Sequence, residues 1–240
     1  MTSLLVDSAR VLYFYKYDLG MDVNEAIQNR HSVRQYTDRK IEGDVLSSLE
    51  DEINRVNLES GLHIRLIKDD PKAFTGLLAK NISKFVGVEN YLAIIGPDSP
   101  DLDEKAGYYG EHLVLRAQEL GLNTCWAKTA SKKDVKKGLE SGYRDVISIA
   151  IGYGANQGVP HKSKPIEKFA DMDGAPEWFV NGVKSAMLAP TAMNKQNFRF
   201  ERDGNKVKLI TGKGTFSRID EGIIKYHFEC GAGKENFFWN

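Results

Sequence analysis

The chain reads as an α+β protein built from two degenerate halves, and three observations carry that reading. Two continuous apolar runs, residues 91–96 and 146–152, have strand length and no polar face, the pattern of strands covered on both sides. Between them, residues 107–120 place Leu113, Leu115, Ala117 and Leu120 in a helix that Gly121 stops. An order of helix, loop, strand and later glycine-ended helix occurs twice, from Asp44 through Ile67 to Gly121 and from Glu177 through Phe200 to Gly231. Such an echo predicts halves that pack as a pseudo-dimer.

The elements follow in order. Residues 1–20 contain an apolar patch too short to cross a bilayer and lacking the cleavage pattern of a leader, so they read as an upstream extension or packed fringe. From Asp22, the spacing of Val23 and Ile27 predicts a short helix that runs into Arg30. Asp44 is placed to cap a helix with Val45, Leu46, Leu49, Ile53 and Val56 on one face, ended by Gly61. Residues 62–67 alternate as a strand closed by Asp69-Asp70-Pro71, and a helical segment follows over 74–81. Residues 122–127 form a short strand or loop, and a small basic helix runs from Ser131 or Lys132 to Leu139. Residues 169–173 read as linker; residues 176–187, with Trp178, Phe179, Val183 and Met187, read as helix. Strands 198–201 and 206–210 flank the turn signal Asp203-Gly204-Asn205, and a last helix spans 217–229 and stops near Gly231.

Bulk properties remove several function classes. The 240 residues carry 33 Lys+Arg and 33 Asp+Glu, so no overall field favours nucleic acid or an anionic membrane. Cys125 and Cys230 form no CxxC pair, and none of the 5 histidines has metal-ligand spacing. A reducing cytoplasm, no metal and no disulfide framework are therefore expected.

The chemistry concentrates in basic and polar stretches. In Arg30-His31-Ser32-Val33-Arg34 an extended backbone aims Arg30, Ser32 and Arg34 to one side, two guanidiniums and a hydroxyl that together suit a phosphate. Alternating cations are more often a solvated edge, so the ligand reading needs context. Part of that context is Val159-Pro160-His161-Lys162-Ser163-Lys164-Pro165, where prolines restrict where the lysines point. A polar loop, Pro190-Thr191-Ala192-Met193-Asn194-Lys195-Gln196-Asn197, supplies the rest.

Together these stretches resemble the FMN-dependent nitroreductases. Glu25-Ala26-Ile27 followed by Arg30 to Arg34 is similar to the family's opening motif, and Ala189 to Phe198 is similar to its proline-serine-serine, asparagine, glutamine loop. Residues 108–122 with Asn123-Thr124-Cys125-Trp126 resemble the long central helix and the loop after it, and His161 to Lys164 resembles the late basic phosphate loop. The likeness covers about residues 21–230. In the common members the polar loop comes soon after the first motif and reaches the partner protomer's flavin; here it follows the lysine loop. That order resembles nitroreductases in which one chain carries both halves of the dimer-like unit. Thr191-Ala192 stand in place of two serines, and Asn197 stands where proline is usual.

The resemblance implies a central mixed or antiparallel sheet flanked by helices, with an extension 1–20, a first half 21–165 and a second half 166–240. It implies a monomer with an internal pseudo-dimer or a homodimer, and because Val56 to Leu62, the first half's counterpart of the polar loop, lacks its asparagine and glutamine in matching array, one site per chain is expected. Arg30, Ser32, Lys162 and Lys164 would hold the FMN phosphate, with His31 in the same motif. Arg34 and Lys84 would lie near the pyrimidine edge and Asn81 would bond the ring system. Lys128 and Thr129 would approach N5 through their backbone, while Pro190, Thr191, Ala192, Asn194 and Gln196 would close the other side. NADH or NADPH would deliver hydride and a flat nitroaromatic, quinone or related acceptor would receive it, with no catalytic side chain required. Two readings compete: a non-catalytic FMN-binding or flavin-storage protein, and a phosphate-ester or nucleic-acid binder that zero net charge disfavours.

Overall fold

A computed structural model of the chain describes residues 21–75, 84–128, 135, 139, 141–160 and 162–240. The helices expected over 74–81 and from 131 or 132 to 139 lie largely outside the described residues, as does the extension 1–20.

Helix α1 (Val23–Asn29) starts where Asp22 accepts hydrogen bonds from the backbone N–H groups of Asn24 and Glu25, and it ends at Arg30. Helix α2 (Gly43–Ser60) buries Leu49, Ile53 and Val56 and stops at Gly61, whose φ of 72° is left-handed. Asp44 does not cap it: Glu42 is the N-cap residue, with no side-chain bond, and Asp44 lies within the first turn. Strand β1 (Arg65–Ile67) is shorter than the alternation of residues 62–67 predicts. Asn57 takes the backbone of Ile64 with both ends of its amide, which removes that residue from sheet pairing.

Strand β2 (Tyr91–Pro97) is buried over six of its seven residues. Helix α3 (Leu102–Glu119) begins before the expected 107, because its first turns are charged and glycine-rich rather than leucine-rich. Strands β3 (Asn123–Ala127) and β4 (Tyr143–Gly152) complete an antiparallel sheet in the order β1-β2-β4-β3, with a bulge between Ile94 and Ile95. The segment 169–173 is no linker: Phe169 and Ala170 are in the core, and the Phe169 carbonyl accepts from the Phe200 N–H.

Helix α4 (Glu177–Ala186) leads to hairpin β5 (Phe198–Asp203) and β6 (Lys206–Thr211), turning at Gly204 as expected. Helix α5 (Ser217–Ala232) runs past Gly231 to Gly233. A Cβ on Gly231 would lie 2.5 Å from the Asn181 carbonyl oxygen, so that glycine serves packing against α4 rather than the helix stop. Strand β7 (Phe238–Trp239), absent from the sequence reading, pairs parallel with β6 and makes the second sheet mixed.

Helices α3 and α5 meet backbone to backbone. A Cβ on Gly107 would lie 2.0 Å from the Ile219 carbonyl oxygen, and one on Gly222 would lie 2.0 Å from that of Glu104. One core runs through both regions, joining Leu92, Ile94, Leu113 and Ile149 to Phe179, Phe200, Ile223 and Phe228. Sheet and helix elements therefore share one apolar interior.

Candidate functional site

The first basic stretch is pinned to the open edge of β3. Ser32 forms a parallel bridge with Thr124, and the Val33 N–H donates to the Thr124 carbonyl at 3.0 Å. The thiol of Cys125 lies beneath it: the Ser32 side chain bonds to it, and the charges of Arg34 and Arg30 bear on it. Burial pushes that thiol up, while Arg34, Ser32 and Arg30 oppose the shift. Of the three residues that alternation predicts on one side, Ser32 bonds to this thiol, and Arg30 and Arg34 act on it through their charge.

Their surroundings differ sharply. Arg34 is exposed, whereas Arg30 is 5% exposed and its Nε is buried without a hydrogen-bond partner. Desolvation lowers the Arg30 pKa, opposed by Glu111 and Cys125. The Arg30 Nη2 donates to the Leu188 carbonyl at 3.3 Å, so a residue from the end of α1 touches the approach to the polar loop. His31 pairs through Nδ1 with the Gln157 carbonyl at 3.0 Å. Lys84 is exposed and two residues from Val86, whose N–H donates to the Arg34 carbonyl at 2.9 Å. Lys128 is exposed just beyond β3. Asn81, Thr129 and His161 lie outside the described residues.

The lysine loop and the polar loop are locked together. Gln196 is 4% exposed; its Nε2 donates to the Lys162 carbonyl at 2.7 Å, and its Oε1 accepts from the Lys164 N–H at 2.9 Å. Asn194 donates to the same Lys162 carbonyl at 3.3 Å and accepts from Gln196 at 2.7 Å. The Lys164 ammonium returns the bond, donating to the Lys195 carbonyl at 2.5 Å and that of Gln196 at 3.2 Å. In this structure the amides of Asn194 and Gln196 therefore brace the lysine loop. Lys162 remains exposed. Thr191 Oγ1 accepts from the Gln196 N–H at 3.0 Å, closing the turn that follows Pro190.

Backbone strain concentrates in these stretches. Among the described residues, Asp69, Lys84, Met193, Asn194 and Gln196 are the non-glycine positions with positive φ, and all but Asp69 belong to the stretches singled out above. Each left-handed L-residue costs about 1–2 kcal/mol, so a loop with three of them is held against its own preference by its surroundings.

Two groups were not visible in the sequence reading. Glu111, fully buried on α3, accepts from Trp126 Nε1 at 2.8 Å and pairs with His227 Nε2 at 2.8 Å; its Oε1 lies 3.8 Å from Arg30 Nε. Asp220, in the first turn of α5, accepts the Ala192 N–H at 3.0 Å and lines a cavity of about 140 Å³ beside the polar loop. Burial raises its carboxyl to about 6, against the backbone N–H of Ala192 and the charge of Lys195. An acid inside an otherwise apolar helical face is the signal that could have found Glu111.

Chemically, the cluster offers fixed cations and backbone for an anion at the edge of a sheet. A family model described as "Putative TM nitroreductase" matches residues 22–232. The chain belongs to this nitroreductase family. It is similar to the crystal structure of a "putative nitroreductase" from Thermotoga maritima, with 26% identity, TM-score 0.61, and 88% of this chain and 83% of that one covered. An FMN-dependent nitroreductase from Clostridium difficile R20291 matches at 21% identity and TM-score 0.42, over 55% of this chain and 87% of that one. No curated protein matches the chain. The family's fold, helices with an antiparallel sheet, is the one described above. Among the described residues no helix is long and apolar enough to cross a membrane.

Proposed function

We propose that the chain is an FMN-dependent oxidoreductase that takes reducing equivalents from NADH or NADPH and passes them to a flat conjugated acceptor such as a nitroaromatic or a quinone. One observation carries the reading: three stretches remote in sequence converge, through Arg30 to Leu188 and through Asn194 and Gln196 to the lysine loop. The residues present fit the cofactor. A buried guanidinium whose Nε lacks a hydrogen-bond partner is the kind of donor that a phosphate relieves, and Ser32 and Arg34 follow it at alternating positions of the same segment.

Arg30, Ser32, Lys162 and Lys164 would hold the phosphate, with His31 in the same motif; Arg34 and Lys84 would face the ring's pyrimidine edge, and Lys128 with Pro190, Thr191, Ala192, Asn194 and Gln196 would border the ring. Bound FMN supplies the hydride chemistry. The chain's own task is then to fix the phosphate, shape the cleft and leave one face open. Left-handed backbone at Met193 and Asn194 supports this, because such strain persists where function requires a set geometry. The reciprocal approach of Gly107 to Ile219 and of Gly222 to Glu104 is in keeping with halves 21–165 and 166–240 that pack on each other.

The test is the visible absorbance of the reconstituted protein, followed by anaerobic addition of NADH and of NADPH. Yellow protein that bleaches with either donor is expected. Colourless protein after reconstitution overturns the proposal; colour that resists both donors leaves a flavin-binding protein without the reductase activity.

A further inference from the structure

His227 is fully buried on α5, and both of its ring nitrogens face oxygen atoms. Nδ1 lies 3.2 Å from the Ser185 carbonyl oxygen, which can only accept, so Nδ1 carries hydrogen. Nε2 lies 2.8 Å from Glu111 Oε1. At that separation one proton must sit between them, on the ring or on the carboxyl, since a bare nitrogen lone pair facing a bare carboxylate is repulsive. Either placement makes the Glu111–His227 pair neutral as a unit. Arg30 approaches that pair with Nε at 3.8 Å from Glu111 Oε1, within ion-pair range but outside hydrogen-bond range, and a pair that is neutral as a unit cancels its buried charge only in part.

We propose that His227 is a positioning residue for the FMN phosphate: by neutralising Glu111, it keeps the charge of Arg30 available to the anion while Trp126 and Ser185 hold the pair in place. The proposal rests on the FMN reading above. It assigns a purpose to a buried histidine on the second half that contacts no part of the three converging loops. Without His227, Glu111 is a free carboxylate and becomes the counterion of Arg30. With Gln at position 111 the count is preserved, because the amide can accept from Trp126 and donate to His227.

The experiment measures the affinity of each protein for FMN and for riboflavin, which has the same ring and no phosphate, by quenching of flavin fluorescence. Thermal unfolding without ligand is recorded in parallel. In His227→Gln, FMN affinity is expected to fall at least ten-fold with riboflavin affinity unchanged. Glu111→Gln should keep the wild-type ratio of FMN to riboflavin affinity within about three-fold, and the double variant should regain that ratio. Equal weakening of both ligands in His227→Gln, or a double variant no better than His227→Gln, overturns the charge balance in favour of packing alone. If His227→Gln does not fold, Glu111→Gln decides by itself, because loss of the ratio there contradicts the count. Wild-type protein that binds FMN while the variants ignore the count sinks this inference alone; wild-type protein that binds no flavin sinks the FMN reading with it.

Discussion

Arg30 has lost nearly all its water and received one clear hydrogen bond, to the Leu188 carbonyl, in return. A charge-assisted bond to phosphate is worth about 1.5–3 kcal/mol, so Arg30→Ala should weaken FMN binding by roughly 10- to 100-fold and shed the flavin during purification. Full retention of colour would contradict its assigned contact. Asp220 makes a prediction of the opposite kind. Its carboxyl is raised from the ordinary 3.8 to about 6, chiefly by burial. Between those values the folded chain holds a proton that the unfolded chain has released, so stability is greatest below the window and falls as pH rises through it. Asp220→Asn should therefore flatten the pH dependence of Tm between pH 4 and pH 7. Because the carboxyl is only partly buried, the gain above pH 7 should be about 1 kcal/mol, less whatever the bond to Ala192 contributes. At this scale the sequence was legible in part. Alternation drew attention to Arg30, Ser32 and Arg34, all of which act on the Cys125 thiol, yet Glu111 and His227, 116 residues apart, acquire meaning only once α3 and α5 are packed.

Elements were read most accurately where a local signal dominates. Asp22 caps α1, Gly61 stops α2, and Gly204 turns the β5–β6 hairpin, each by a preference of its own backbone or side chain. Errors arose where distant groups decide. Asn57 withdraws Ile64 from a strand, Phe169 is drawn from a supposed linker into the core, and β7 exists only because β6 lies alongside. Gly231, expected as a helix stop, lies inside α5 for the same reason. Gly222 permits the backbone of α5 to touch that of α3, and a methyl group there would meet the Glu104 carbonyl oxygen and the Tyr108 nitrogen. Overpacking of this kind costs about 1–3 kcal/mol and more when backbone must move, so Gly222→Ala should lower Tm by several degrees while Gly214→Ala, with open space around it, should not. Gln196→Ala should strip the Lys164 N–H of its side-chain acceptor and leave the Lys162 carbonyl only the longer bond from Asn194, destabilise by about 1–3 kcal/mol and loosen FMN together with the lysine loop.

For the molecule as a whole, equal numbers of acidic and basic residues mean that cation clusters matter only locally, so the protein should pass through heparin at moderate salt. The arrangement of the halves is testable without a further structure. If one chain supplies both sides of its own site, co-expressing Arg30→Ala chains with Gln196→Ala chains should not restore flavin binding. Restoration in mixed oligomers would instead mean that neighbouring chains complete each other. The resemblance that suggested a single-chain arrangement rested on motif order, which a sequence displays directly. The close approach of α3 and α5 needed the fold, because Gly107 and Gly222 give no local sign of facing one another's backbone.

Cys125 turns the strand edge into a clock. Its thiol is 4% exposed, pushed up by burial and bonded by Ser32, so an alkylating reagent reaches it faster whenever the segment carrying Arg30, Ser32 and Arg34 lifts from β3. In a Cys230→Ser background, the mass added over time then counts those excursions, and a seated phosphate ester slows the count in proportion to its occupancy.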